Sequence, residues 1–141
     1  MLGTPLFVLE ELLKKLKRKF VVPAIVLMVT FVLFRFVLFI GYVPTESMEP
    51  TLHKDTFIIG SRIWRELEAG DIVVFRHEGK LLVKRIAALE GNMVERQGNY
   101  LCVPTDSYYV LGDNTEKSWD SRYWVDPFVI ESQICAKVIM K

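Results

Sequence analysis

The chain has 141 residues, 51% hydrophobic and 25% charged, with a formal net charge of +1. That length accommodates one domain plus an appendage. Lys14, Lys15, Lys17, Arg18 and Lys19 face only Glu10 and Glu11 in residues 1–19, whereas residues 44–141 hold 12 Lys/Arg against 15 Asp/Glu; the basic cluster therefore flanks an apolar run and is no nucleic-acid footprint, and no nucleic-acid partner is expected.

Thr4-Pro5 reads as an N-cap and first helical position. Leu9, Leu12, Leu13, Leu16 and Phe20 then recur at helical spacing, with the basic residues toward the C-terminal end. Residues 1–19 fit a cytoplasmic basic amphipathic helix lying on a membrane surface, or equally a frayed basic leader.

Phe20 to Val43 is apolar except for Thr30 and Arg35. A bilayer core of about 30 Å needs about 20 residues of helix, so Phe20 to Phe34 alone is too short. The span is placed at roughly Phe20 to Ile40, within an anchor segment 20–43. Arg35 then lies in the outer quarter, where a long side chain snorkels, and Pro23 in the first turn. Five Lys/Arg precede the span and only Lys54 follows closely, which puts the N-terminus in the cytoplasm and the rest outside in a single pass. No A-x-A-like site precedes Ser47, so an uncleaved anchor in the lipid bilayer is expected.

Past the anchor the pattern changes to short β-like runs. Thr56–Ile59 is the first. Asp71–Arg76 follows the turn Glu68-Ala69-Gly70. Lys80–Leu89 follows His77-Glu78-Gly79, so these two runs predict a hairpin. Met93–Arg96 and Tyr100–Val103 flank Gln97-Gly98-Asn99, a second hairpin signal. Tyr108–Leu111 and Ile134–Met140 complete the set. Residues 44–141 thus predict a small, mostly antiparallel β domain following one N-terminal transmembrane helix, with a modest core.

Cys102 and Cys135 lie far apart without C-x-x-C spacing or a nearby His pair, so zinc is not expected; outside a membrane they either pair or remain two separate buried thiols. His53 and His77 are isolated and read as surface or core histidines.

Ser47 lies between Pro44 and Pro50, on an extended or turning segment. A serine hydroxyl becomes a nucleophile only when a base takes its proton. Lysine serves if its pKa falls from about 10.4 to about 8, worth about 3 kcal/mol, which desolvation supplies. Strand alternation puts Lys84 on one face with Leu82 and Ile86, a setting that suits a neutral amine. The plainer readings are a strand lysine reaching solvent and an inert loop serine, with Glu46 and Glu49 solvated. Gly112-Asp113-Asn114 is a turn signal. Beyond it, Asp120 and Arg122 are close enough to brace a loop, and Ser118 has a hydroxyl to offer an amine. Taken alone, none of these segments decides a function.

Four motifs occur in one order: Thr45-Glu46-Ser47-Met48-Glu49-Pro50-Thr51-Leu52, Gly70-Asp71-Ile72-Val73-Val74-Phe75, Val83-Lys84-Arg85-Ile86, and Gly112-Asp113-Asn114 followed by Ser118-Trp119-Asp120-Ser121-Arg122. In this the chain resembles the type I signal peptidases from about Arg35 to Lys137. The resemblance implies a Ser/Lys dyad, with Ser47 the nucleophile and Lys84 the general base. It implies an oxyanion site made by the Thr45 hydroxyl and the Ser47 N–H, Ser118 orienting the lysine amine, Asp120 and Arg122 bracing the loop, and Met48 lining the substrate site. It implies no metal or other cofactor, and as partners the signal peptides of exported preproteins, with small residues at −1 and −3. Two departures stand out. Leu89-Glu90-Gly91-Asn92 replaces the family's L-P-G-D, and about 20 residues between Gly91 and Gly112 leave no room for the extra β domain of larger members, so a minimal single-anchor form is expected. The function implied is removal of signal peptides at the outer face of the cytoplasmic membrane. The rivals are a specialised relative maturing a single pilin or secreted peptide, and a non-catalytic membrane-anchored β module that binds partners.

Overall fold

The structure, a computed structural model, describes residues 4–140, with side chains from Val8 onward. The chain divides into two compact units, Met1–Phe36 and Val37–Lys141.

The first unit is helical. Helix α1 runs over Thr4–Val32, and a π-helical turn Leu33–Val37 follows it. The leucine-rich first half and the valine-rich second half form one uninterrupted helix, so the basic segment and the apolar run are not separate elements. Pro23 consequently lies inside the helix rather than in a first turn. The cap expected at Thr4 lies outside the described side chains. Val8–Val37 is long and apolar enough to cross a membrane, reaching a mean hydropathy of 2.5 with none of that stretch buried in protein.

The helical residues end at Val37, not at Ile40 or Val43. Leu38–Val43 is strand β1, the first strand of the second unit. Phe39 and Val43 are buried while Ile40 and Tyr42 are exposed. Because both faces carry apolar side chains, hydropathy alone does not separate this strand from the end of a membrane helix.

Eight more strands follow: β2 Thr56–Ser61, β3 Ile72–His77, β4 Lys80–Ala88, β5 Met93–Arg96, β6 Asn99–Cys102, β7 Ser107–Leu111, β8 Phe128–Ile130 and β9 Ile134–Met140. Together with β1, six of them form one seven-stranded antiparallel sheet in the order β1-β2-β9-β3-β4-β7-β8, and β5-β6 is a separate hairpin. The mostly β architecture and the two hairpins are those expected from the sequence. The β5-β6 turn has positive φ at both Gln97 (51°) and Gly98 (79°), the backbone of a type I′ hairpin, which matches strand twist. β8, at three residues, is too short to show a period.

β3 and β4 hold the middle of the fold. Val73 and Phe75 face one cluster with Ile86, Val110, Trp124 and Val129. Val74 faces the other, with Phe39, Val43, Met48, Leu52, Ile58 and Ala136. The β3–β4 register sets Val73 opposite Lys84, so Lys84 projects from a strand whose neighbours on the same face are core residues.

Candidate active site

The segment after β1 turns rather than continuing the sheet. Tyr42 donates its hydroxyl to the Asp55 carboxylate, and Asp55 N–H donates to Val43 O at 2.8 Å. Beyond Pro44 the chain coils, with Glu49 N–H to Glu46 O at 3.1 Å and Leu52 N–H to Met48 O at 2.9 Å. Met48 and Leu52 are each 1% exposed, so two buried apolar anchors hold the turn that presents Ser47.

Lys84 reaches that turn from β4. Its Nζ lies 2.6 Å from Ser47 Oγ, in a buried contact between residues 37 apart in sequence. Thr45 Oγ1 lies 3.3 Å from Ser47 Oγ, with either hydroxyl able to donate. Lys84 is 4% exposed. Burial pulls its amine down to about 8; Asp120 and Asp113 pull it back up, and Arg122 lowers it further. Burial dominates because an ammonium loses most of its hydration there.

The loop between β7 and β8 forms the third side. Asp120, fully buried, accepts from Ser118 Oγ at 2.6 Å, from Gly112 N–H at 2.9 Å, and from Arg122 at 2.9 Å (Nε) and 2.7 Å (Nη2). Burial would raise the Asp120 carboxyl, but the Arg122 guanidinium, the Gly112 and Arg122 N–H groups and the Ser118 hydroxyl outweigh it and hold the pKa below the usual carboxylate value. Asp120 therefore stays ionised near Lys84. Ser118 spends its proton on Asp120, which leaves its oxygen lone pairs for an amine donor.

Several residues at the site carried no assigned role in the sequence. Arg85, next to Lys84, forms a two-pronged pair with Asp113 (2.8 and 2.6 Å) and also donates to Gly70 O at 2.6 Å and Thr51 Oγ1 at 3.3 Å. Asn114 N–H donates to Ser47 O at 3.1 Å. Lys117 pairs with Glu46, so Glu46 is tied to the β7–β8 loop rather than simply solvated. Ser121 Oγ accepts from Val110 N–H at 3.0 Å. Gly112 packs so closely that an added Cβ would stand 2.1 Å from Ser118 Oγ and 2.5 Å from Ser47 O. The available signal was position alone: each lies within or beside a motif, but its partner is distant in sequence.

A groove of about 340 Å³ opens beside the serine, lined by Tyr42, Val43, Pro44, Thr45, Ser47 and Met48 on one side and Lys80–Lys84 on the other. Met48 thus both anchors the turn and lines the groove. β7 pairs with β4 only from Arg85 onward, which leaves the Lys80–Lys84 half of β4 with an open edge on that side. The histidines lie elsewhere. His53 is exposed, and His77 stacks on Trp124 with ring centroids 4.0 Å apart. Cys102 and Cys135 are free, Cys102 exposed and Cys135 half-buried, so neither pairing nor two buried thiols describes them.

Residues 16–103 and 96–141 match the family model for signal peptidase, peptidase S26. The chain is 36% identical over 117 residues to a probable signal peptidase I-2 of Synechocystis sp., covering 59% of this chain and 54% of that protein. It is 32% identical over 135 residues to a signal peptidase I of Bacillus amyloliquefaciens, covering 70% and 73%. It is 31% identical over 129 residues to thylakoidal processing peptidase 1 of Arabidopsis thaliana, covering 64% and 38%. The chain thus spans little more than half the length of the Synechocystis protein.

Proposed function

The chain belongs to the signal peptidase family, peptidase S26, and from that premise we propose that it is a membrane-anchored serine endopeptidase that removes N-terminal signal peptides from exported proteins. Ser47 is the nucleophile and Lys84 the general base. The observation that carries this reading is the buried 2.6 Å contact between Lys84 Nζ and Ser47 Oγ, with an amine whose pKa, about 8, lets it exist neutral near working pH.

The neutral amine accepts the Ser47 proton as Oγ attacks the scissile carbonyl carbon. The oxyanion is met by the Ser47 N–H and the Thr45 hydroxyl, each such donor being worth about 3 kcal/mol in the transition state. Lys84, now an ammonium, donates to the leaving nitrogen as the C–N bond breaks. A water then gives a proton to Lys84 and attacks the acyl ester, releasing the leader and restoring Ser47. The ionised Asp120, held by Arg122, Gly112 and Ser118, supports Ser118 in orienting the amine. The leader lies extended in the groove along the open edge of β4, adding a strand by main-chain hydrogen bonds. Helix α1 anchors the enzyme in the cytoplasmic membrane in a single pass, with the N-terminus inside and the β unit outside, as the Lys/Arg imbalance favours.

The test is cleavage of a preprotein by purified full-length protein in detergent. Ser47→Ala and Lys84→Ala should each abolish cleavage while the fold is kept, and the double variant should be no worse than either, because the two act as a unit. A Lys84→Ala enzyme with more than about a tenth of the wild-type rate would be incompatible with Lys84 as the base.

A further inference from the structure

The groove carries a charge that the chemistry does not use. Among its lining residues only Lys80 and Lys84 bear a charged side chain. Lys84 is buried and committed to Ser47; Lys80 is exposed at the far end, in the pair Lys80–His77 that closes the β3–β4 hairpin. Strand alternation sets both lysines on the same face of β4, four residues and about 13 Å apart.

Resting on the reading above, we propose that Lys80 makes this groove sort leaders by charge, favouring an acidic over a basic residue four or five positions N-terminal to the scissile bond. An extended leader beside the open edge of β4 advances at the same rise per residue as the strand. When the scissile bond stands at Ser47 and Lys84, the leader residue abreast of Lys80 is therefore about four further along. The leader, rather than the mature chain, occupies this stretch because mature exported proteins share no sequence, so an enzyme that accepts many of them reads the part it removes. Between the two lysines the wall is apolar, with Leu81, Leu82 and Val83 opposite Val43 and Pro44. Nothing there distinguishes one sign of charge from the other, so Lys80 sets the preference.

The test compares three otherwise identical precursors carrying Asp, Ala or Lys at the fourth and fifth leader positions before the scissile bond. Full-length enzyme in non-ionic detergent is assayed at low and high salt. An exposed attractive pair is worth up to about five-fold and a like-charge pair about as much against. The wild-type kcat/KM ratio of the Asp to the Lys precursor should therefore reach up to about 25-fold at low salt. It should lie mainly in KM, since the contact is the same in ground and transition states, and shrink toward unity in high salt. Lys80→Gln should erase the ratio and Lys80→Glu should invert it. The ratio is taken within each variant, so a general loss of activity cancels. Equal kcat/KM for all three precursors in the wild type, or a preference that survives Lys80→Gln, overturns the proposal while leaving the peptidase reading intact. Failure of the wild type to cleave any of the three overturns the peptidase reading and the proposal with it.

Discussion

Lys84 is expected to leave two independent signatures in pH, one kinetic and one thermodynamic. Its amine is lowered by burial to about 8, against about 10.4 in an unfolded chain. Kinetically, only the neutral amine accepts the serine proton, so kcat/KM should climb about ten-fold per pH unit below 8 and level off above it. About 1% of the plateau should remain two units below the midpoint. Thermodynamically, a depressed lysine binds fewer protons folded than unfolded, so stability rises with pH between about 8 and 10.4 and the penalty is complete below 8. Its size is about 3 kcal/mol at pH 7, falling to about 1.3 kcal/mol at pH 9.5. Lys84→Met removes the charge and keeps most of the volume; after losing the hydrogen bond to Ser47, worth about 1 kcal/mol, it should be inactive yet about 2 kcal/mol more stable at pH 7. All three tryptophans, Trp64, Trp119 and Trp124, lie in the β unit, so urea unfolding followed by their fluorescence in detergent reports that unit. The kinetic arm uses wild type and a His53→Gln/His77→Phe variant, which keeps a ring stacked on Trp124. A rising limb near 6.5 that vanishes in the histidine variant would refute the assignment of the base. A wild-type-to-Met stability difference that stays flat from pH 7 to 9.5 would refute the desolvation reasoning.

Thr45→Val keeps the branched shape and removes the hydroxyl; kcat should fall by about 10²–10³ with a smaller change in KM, whereas Thr45→Ser should retain much of the activity in the same assay. Gly112→Ala puts a methyl 2.1 Å from Ser118 Oγ and 2.5 Å from Ser47 O; since a shift of about 1 Å can cost about 100-fold, cleavage should drop at least that far, and wild-type activity would contradict the packing. Asp120→Asn breaks the pair with Arg122 and should lower stability by about 3 kcal/mol in the urea assay. Because Asp120 raises the Lys84 pKa, the residual activity of that variant should titrate at lower pH, and a limb moved to higher pH would contradict the assigned field. Protease added to sealed spheroplasts should leave an N-terminal tag intact and cut an unfolded or loosened β unit; digestion of the tag would reverse the proposed orientation.

Most strands were legible because their signals are local. The alternation in Lys80–Leu89, the Gln97-Gly98 turn and the apolar run of Ile134–Met140 each express a preference within a few residues. β1 was not legible, because Leu38–Val43 directly extends an apolar helix and shows apolar side chains on both faces. Pro23 was misplaced for the same reason, since the start of α1 depends on a helix that continues through the basic segment. At the site, Ser47, Lys84, Ser118, Asp120 and Arg122 stood out through motif strings, whereas Arg85, Gly112, Asn114 and the Glu46–Lys117 pair acquired roles only through partners elsewhere in the chain. The sequence by itself determined a β-rich unit following one apolar helix, the family, and which side chains carry reactive groups. The tertiary structure alone decided that the Ser47 hydroxyl and Lys84 amine, 37 residues apart, meet at 2.6 Å, that the amine is lowered to about 8, and that a groove with a second lysine runs away from them. Propensity and periodicity are properties of neighbours along the chain, whereas desolvation, ion pairing and cavity shape belong to neighbours in space, which exist only once the sheet has closed around them.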